Sequence, residues 1–348
     1  MSRHQILRVP FLSSIKAPLT FYVKVGYVSQ RFFKSSFLSV KMFFETNTFP
    51  LVPQDLPKLS SIASFFGAEL RSVCLSIVKS SVVEDILEFT SIVTHLKAED
   101  SSFLPHLLDH SSSIFLSRLR VLDVISKPPG DTFTSFCNSL MVNTTVLELL
   151  IDISDVSSNE LFSFKKVFWS NNTLKKLTLS SKCIPRSLYE ECQILFQQVS
   201  THSTLELIDL SNFDLKTEIS NVIVTFLQSI SIRSVVFPKN CNLDSSISGS
   251  LNNNSSLRDL TFSKYRDMSE LFVTSLMSHS KFKKLTFLGT RSMYIISKGI
   301  ESNTSVLELS LFPHSEYETS IDKYQVESLS SMLQRNTTLL VLNLQVFS

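Results

Sequence analysis

Residues 143–151 read NTTVLELLI, and the same chemistry returns along the chain at a fixed period. The copies are NNTLKKLTL (171–179), HSTLELIDL (202–210), NSSLRDLTF (254–262), HSKFKKLTF (279–287), NTSVLELSL (303–311) and NTTLLVLNL (336–344). A self-similar unit of roughly 24–33 residues marks a solenoid, in which each unit buries its apolar face only by stacking on its neighbours. Each unit carries apolar residues in the order L-x-x-L-x-L, as in Leu174, Leu177 and Leu179. The last two sit two apart, the period of a strand with one buried face. Weaker copies are Leu70/Val73/Leu75, Leu119/Leu122/Val124 and Ile232/Val235/Phe237, and Phe37/Val40/Met42 is the faintest.

Between these strands, apolar residues fall at three- and four-residue steps in Leu188 to Val199, Ile219 to Leu227, Met268 to Met277 and Val326 to Leu333. That spacing predicts helices. Further helices are expected over Val82 to Leu96 and, as an insertion or degraded repeat, over Phe103 to Leu116.

The position three residues before the first apolar one holds Gly67, Asn143, Asn171, His202, Asn254, His279, Asn303 and Asn336. Lys34, Leu116 and Ser229 occupy it in the remaining units. Gly, Asn and His tolerate positive φ, so the column predicts a left-handed residue that ends each helix. The Thr or Ser that follows suits an extended segment.

N-[TS]-[TS]-L-x-x-L-x-L after a helix resembles the ribonuclease-inhibitor-like class of leucine-rich repeats, from about Leu70 to Leu344 and more faintly from Phe37. The resemblance implies an α/β horseshoe solenoid, with parallel β-strands on the concave face and helices on the convex face. Relatives usually place Asn or Cys three residues after the last strand leucine, where only Asn240 fits here. They also carry a loop glycine, and this chain has only 6 Gly.

A chain of 348 residues with 43% hydrophobic residues can bury a continuous core as one elongated array. We expect an irregular basic N-terminal cap or extension over 1–36, then repeats over 37–348, most regular over 117–348, without a separate C-terminal cap. Residues before Glu45 include Arg3, Arg8, Lys16, Lys24, Arg31, Lys34 and Lys41 but no acid. Pro10 and Pro18 interrupt the amphipathic helix of a transit peptide, so a cap is favoured over targeting, and Leu19 to Val28 is strand-like. Pro50, Pro53 and Pro57 mark a non-helical connection. Ser348 follows the strand Leu339/Leu342/Leu344 directly. Either a partner covers that edge, the chain is truncated, or the open edge is tolerated. The 28 Phe are expected between sheet and helices, with Phe162, Phe164 and Phe168 as one group.

A net charge of +2 does not argue for nucleic-acid or membrane binding, and no apolar run reaches the roughly 18–20 residues needed to cross a bilayer. Five scattered cysteines (Cys74, Cys137, Cys183, Cys192, Cys241) fit reduced thiols in a cytoplasmic or nuclear setting. Glycosylation sequons at Asn143, Asn171, Asn253, Asn254, Asn303 and Asn336 are by-products of a repeat that needs Asn before Thr or Ser. Phosphate-loop, dinucleotide-binding, zincin and nucleophile-elbow motifs are absent, and no cysteine pair has zinc spacing. His106 and His110 lie one helical turn apart beside Asp109, but a third metal ligand is missing locally. We therefore expect no enzyme activity, cofactor, metal or small-molecule substrate.

The positions between the leucines should point away from the core. The residue after the first leucine is Arg71, Arg120, Leu147, Lys175, Glu206, Arg233, Arg258, Lys283, Leu307 and Leu340 in successive units. Stacked strands lie about 4.8 Å apart, so these residues should form a largely basic ladder with an apolar end. Neighbouring positions add Lys176 and Lys284 together with Asp123, Glu148, Asp209, Asp259 and Glu308. Arg71, Arg120, Lys175, Lys176, Arg233, Arg258, Lys283 and Lys284 are the candidate site for an acidic protein partner on a non-enzymatic scaffold. The alternative comes from the resemblance, since relatives include Ran GTPase-activating proteins and regulators of actin filaments.

Overall fold

The structure, a computed structural model, describes residues 5–7, 23–25, 48–51, 72–75, 94–98, 104–109, 119–182, 184–213, 229–238, 251, 254–263, 270–279, 281–290, 293–313 and 323–344. The chain divides into two compact units, Met1–Asp123 and Val124–Ser348.

In the first unit, β1 (Gln5–Leu7) and β2 (Val23–Val25) pair antiparallel. A parallel ladder follows from β3 (Thr48–Leu51) through β4 (Ser72–Leu75) to β5 (His95–Ala98), in the register Thr48↔Ser72↔His95. Pro50 sits inside β3, where the sequence suggested a connection. Among the described residues β3 is flanked by β4 alone, and a strand at a sheet edge tolerates the missing N–H. The helix expected to reach Leu96 is corrected, because His95 and Leu96 belong to β5. Leu96-x-Ala98 is the strand of a repeat whose last leucine is an alanine, and Leu96 and Ala98 are fully buried. The short helix α1 (Leu104–Asp109) and the strand β6 (Val121–Val124) follow. The Phe37/Val40/Met42 copy, Gly67, Asn240 and His110 lie outside the described residues, as do Ile219 to Leu227.

The second unit is an array of repeats that alternates helices with parallel strands. Its helices are α2 (Gly130–Val142), α3 (Ser158–Ser170), α4 (Tyr189–Thr201), α5 (Glu270–Ser278), α6 (Met293–Glu301) and α7 (Lys323–Arg335). Its strands are β7 (Glu148–Asp152), β8 (Lys176–Ser181), β9 (Leu207–Phe213), β10 (Ser234–Phe237), β11 (Asp259–Ser263), β12 (Lys284–Thr290), β13 (Glu308–Pro313) and β14 (Val341–Leu344). Every strand pairs parallel with the next in sequence. Register brings like positions together, for example Leu149↔Leu177↔Ile208 and Val235↔Leu260↔Leu285↔Leu309. Those residues have no solvent exposure.

The last apolar position of β10, β11 and β12 is phenylalanine each time. Phe237 and Phe262 stack with centroids 4.9 Å apart, and Phe262 and Phe287 at 5.1 Å. Burial of each ring contributes about 1.5–3 kcal/mol, and each offset pair about 0.5–1.5 kcal/mol more. Phe164 and Phe168 are buried in α3, but Phe162 is 48% exposed. Leu161, Phe164 and Phe168 take the inward helical spacing, which turns Phe162 outward beneath the ammonium groups of Lys165 and Lys166.

The left-handed stop is also corrected. Asn143, Asn171 and His202 have φ of −69°, −73° and −66°, in extended backbone. Among the described residues, positive φ occurs instead at Asp155, Gly130 and Gly289. The column is selected for side-chain hydrogen bonding. Asn171 Oδ1 accepts from the N–H groups of Thr173 (3.0 Å) and Leu174 (2.9 Å). Its Nδ2 donates to the carbonyls of Leu140 (2.8 Å) and Asn143 (3.1 Å), one repeat earlier. Asn303 and Asn336 repeat all four bonds, and Asn254 donates to Ser229 O. Ser229 fits the same role with a shorter reach, since its Oγ accepts from Ser231 and Ile232 at 3.3 and 3.4 Å. Threonine and serine two residues on add rungs, as in Thr173 to Asn143 O and Ser305 to His279 O. Where histidine replaces asparagine at 279, Lys281 replaces the Thr, and its ammonium donates to Leu251 O and Asn254 O. Those are the carbonyls an asparagine at 279 would have taken. The sequon asparagines 143, 171, 254 and 303 are thus at most 6% exposed and engaged, which leaves the structural reading of those motifs in place.

His202 Nε2 lies 2.6 Å from Asn171 O. Burial lowers its pKa from the ordinary 6.5, against the pull of that carbonyl. The unfolded chain therefore takes up a proton that the fold resists, and stability falls as pH drops below about 6.5. His202→Asn, which installs the commoner ladder residue, is expected to flatten that decline. Urea midpoints measured between about pH 7 and 5.5 check this, and an unchanged slope would contradict it.

Candidate functional site

The first and second leucines of each repeat lie three apart because the strand enters through a local bulge. The N–H groups of two consecutive residues converge on one carbonyl of the preceding unit: Lys175 and Lys176 on Leu147 O, and Arg258 and Asp259 on Arg233 O. The first of each pair forms a continuous chain of bonds. Lys175 N bonds Leu147 O at 2.7 Å, Glu206 bonds Lys175, Arg233 bonds Glu206, Arg258 bonds Arg233, Lys283 bonds Arg258, Leu307 bonds Lys283 at 2.9 Å, and Leu340 bonds Leu307. The residues after the first leucine are therefore stacked one per strand.

Charge along this column is not uniform. Lys175 lies 3.8 Å from Glu206, Lys176 is 3.3 Å from Glu148, and Lys284 is 2.7 Å from Glu308. These cations are spoken for by neighbouring strands. Register also sets Asp259 beside Lys284. Burial raises the Asp259 pKa, with Lys284 acting in the opposite direction and Glu308 adding to the rise. Arg258 Nη1 donates to its own strand entry, at Ser255 O (2.9 Å) and Leu257 O (2.8 Å). Arg233 and Lys283 are exposed and have no carboxylate partner among the described residues. The structure thus brings Arg233, Arg258 and Lys283 together at the entries to β10, β11 and β12, and pairs off Lys175, Lys176 and Lys284.

Arg120 belongs to the first unit, where it is exposed and donates to Leu119 O at 3.2 Å. Arg71 lies outside the described residues. Thr94 was missed. Its carbonyl accepts from Arg120 and Val121, so it is the column member of the β5 repeat, hidden by Ala98. Beyond Lys283 the column turns apolar, with Leu307 38% and Leu340 76% exposed. Val341 and Leu344 of β14 are also exposed.

No group of histidine, cysteine and carboxylate side chains among the described residues could hold a metal ion. The side chains of His106 and Asp109 are not described. Burial pushes the Cys192 thiol up to about 12 and raises that of Cys137, so neither is a ready thiolate. No helix among the described residues is long and apolar enough to cross a membrane.

Neither a family model nor a curated protein sequence matches the chain. It is similar in structure to the leucine-rich-repeat-containing protein LegL7 from Legionella pneumophila, at 14% identity and a TM-score of 0.49, over 83% of this chain and 91% of that one. A chain of the Drosophila Toll–Spatzle complex is similar at 11% identity and a TM-score of 0.36, over 85% of this chain and 45% of that one.

Proposed function

We propose that the chain is a non-enzymatic interaction scaffold that holds an acidic protein partner on the helix-free face of its sheet, in a cytoplasmic or nuclear setting. The observation that carries this reading is the stack of Arg233, Arg258 and Lys283, side by side and in no ion pair with a carboxylate among the described residues. Cations already paired add little to association, because a partner's carboxylate must displace an existing one. Unpaired ones steer encounter and fix register. The test is affinity purification with the intact chain and with Arg233→Glu/Arg258→Glu/Lys283→Glu. Equal recovery of every partner by a folded triple variant would contradict the reading. Selective loss of one partner would support it, and its recovery should weaken as salt rises.

A further inference from the structure

The column changes character at one point. Arg233, Arg258 and Lys283 are followed, on the next two strands and through the same chain of backbone bonds, by exposed Leu307 and Leu340. Resting on the acidic-partner reading above, we infer that the occupant is one extended protein segment with an ordered sequence. Its carboxylates lie across β10 to β12, and bulky apolar side chains follow over Leu307 and Leu340.

The dimensions fit such a segment. Four strand steps of about 4.8 Å separate Arg233 from Leu340, about 19 Å in all. An extended chain advances about 3.3 Å per residue and turns alternate side chains to one face. Seven residues therefore span the column, with acidic side chains at the first and third positions, over Arg233 to Lys283, and apolar ones at the fifth and seventh, over Leu307 and Leu340. Arg233 and Lys283 are long and exposed enough to absorb the mismatch between strand spacing and peptide repeat. A polyphosphate backbone would satisfy the cations but leave both leucines in water. The apolar end thus favours a protein segment over a nucleic acid.

A synthetic, fluorescently labelled heptapeptide with glutamate at positions one and three, leucine at five and seven, and serine at the others tests this. Fluorescence anisotropy is read with the full chain at low salt. Comparison probes are the reversed-order peptide, the peptide with glutamine for glutamate, the peptide with serine for leucine, and a ten-nucleotide single-stranded thymidine oligomer. Binding should weaken at least tenfold for the glutamine peptide, and as much for Arg233→Glu/Lys283→Glu. The reversed-order and leucine-free peptides, and Leu340→Ser with the original peptide, should each lose about fivefold. Circular dichroism verifies that the variants remain folded. Equal binding of the reversed-order or leucine-free peptide would overturn the ordered-segment inference while leaving the acidic-partner reading intact. Equal binding by the charge-reversed protein would overturn both. An oligomer that binds as tightly as the peptide, or a peptide that does not bind at all, would also overturn the inference, and the purification experiment would then judge the broader reading separately.

Discussion

Leu177→Asp is expected to unfold the array around β8, whereas Lys176→Asp, one residue away, is expected to leave it folded. Leu177 has no solvent exposure and sits in register between Leu149 and Ile208. Removing such a side chain costs about 2–5 kcal/mol, and leaving a carboxylate in its place costs several more. Total stability in a domain is about 5–15 kcal/mol, so this one change approaches the whole of it. A repeat array need not unfold as one piece, because each unit contacts only its neighbours. The expected result is therefore loss of helical circular dichroism together with new proteolytic cleavage between α3 and α4. Lys176 is half-exposed, and its ion pair with Glu148 is worth at most about 1 kcal/mol. Wild-type protease resistance in Leu177→Asp would place the leucine outside the core and remove the basis of the fold.

The strands were legible because burial in a parallel sheet couples directly to spacing. Every L-x-L pair needs one face dry, and in-register pairing then aligns like residues, as in the stack of Phe237, Phe262 and Phe287. The β5 repeat escaped notice because Ala98 is too small to stand out as a core position. Phe162 was misplaced because composition cannot say which side of α3 a ring occupies. The asparagine column was located correctly and explained wrongly. Asparagine and histidine serve both positive φ and side-chain bonding, and only the backbone angles separate the two roles. Lys281 supplies the missing sequence signal, since a lysine has no bearing on helix termination at that place yet can replace an amide donor. The candidate site was legible as a column of positions. Its division into paired and unpaired cations was not, because Lys175 meets Glu206 and Lys284 meets Glu308 only once the strand register is known.

Asn171→Asp should prove more damaging than Asn171→Ala, although it is the smaller change in shape. Asn171 is 2% exposed and makes bonds in both directions. Alanine abandons the N–H groups of Thr173 and Leu174 and the carbonyls of Leu140 and Asn143, at a cost of about 2–4 kcal/mol for several buried groups left unsatisfied. Aspartate still accepts from the two N–H groups. Its second oxygen, however, stands where Nδ2 stood, 2.8 and 3.1 Å from two carbonyl oxygens, so donors become opposed acceptors around a buried charge. That arrangement costs about 3–5 kcal/mol. It also raises the carboxyl pKa in the fold above its unfolded value, because only the protonated acid can donate to either carbonyl. The deficit of Asn171→Asp relative to wild type should therefore shrink on acidification, as protonation restores one donor, and grow as pH rises through the raised pKa. The alanine variant, with nothing to titrate there, should keep a constant deficit. Urea midpoints of the three proteins across about pH 4.5–8 decide the matter. Parallel curves for the two variants would show that the asparagine amide does not bind the preceding repeat, and that the ladder is not what ties the units together.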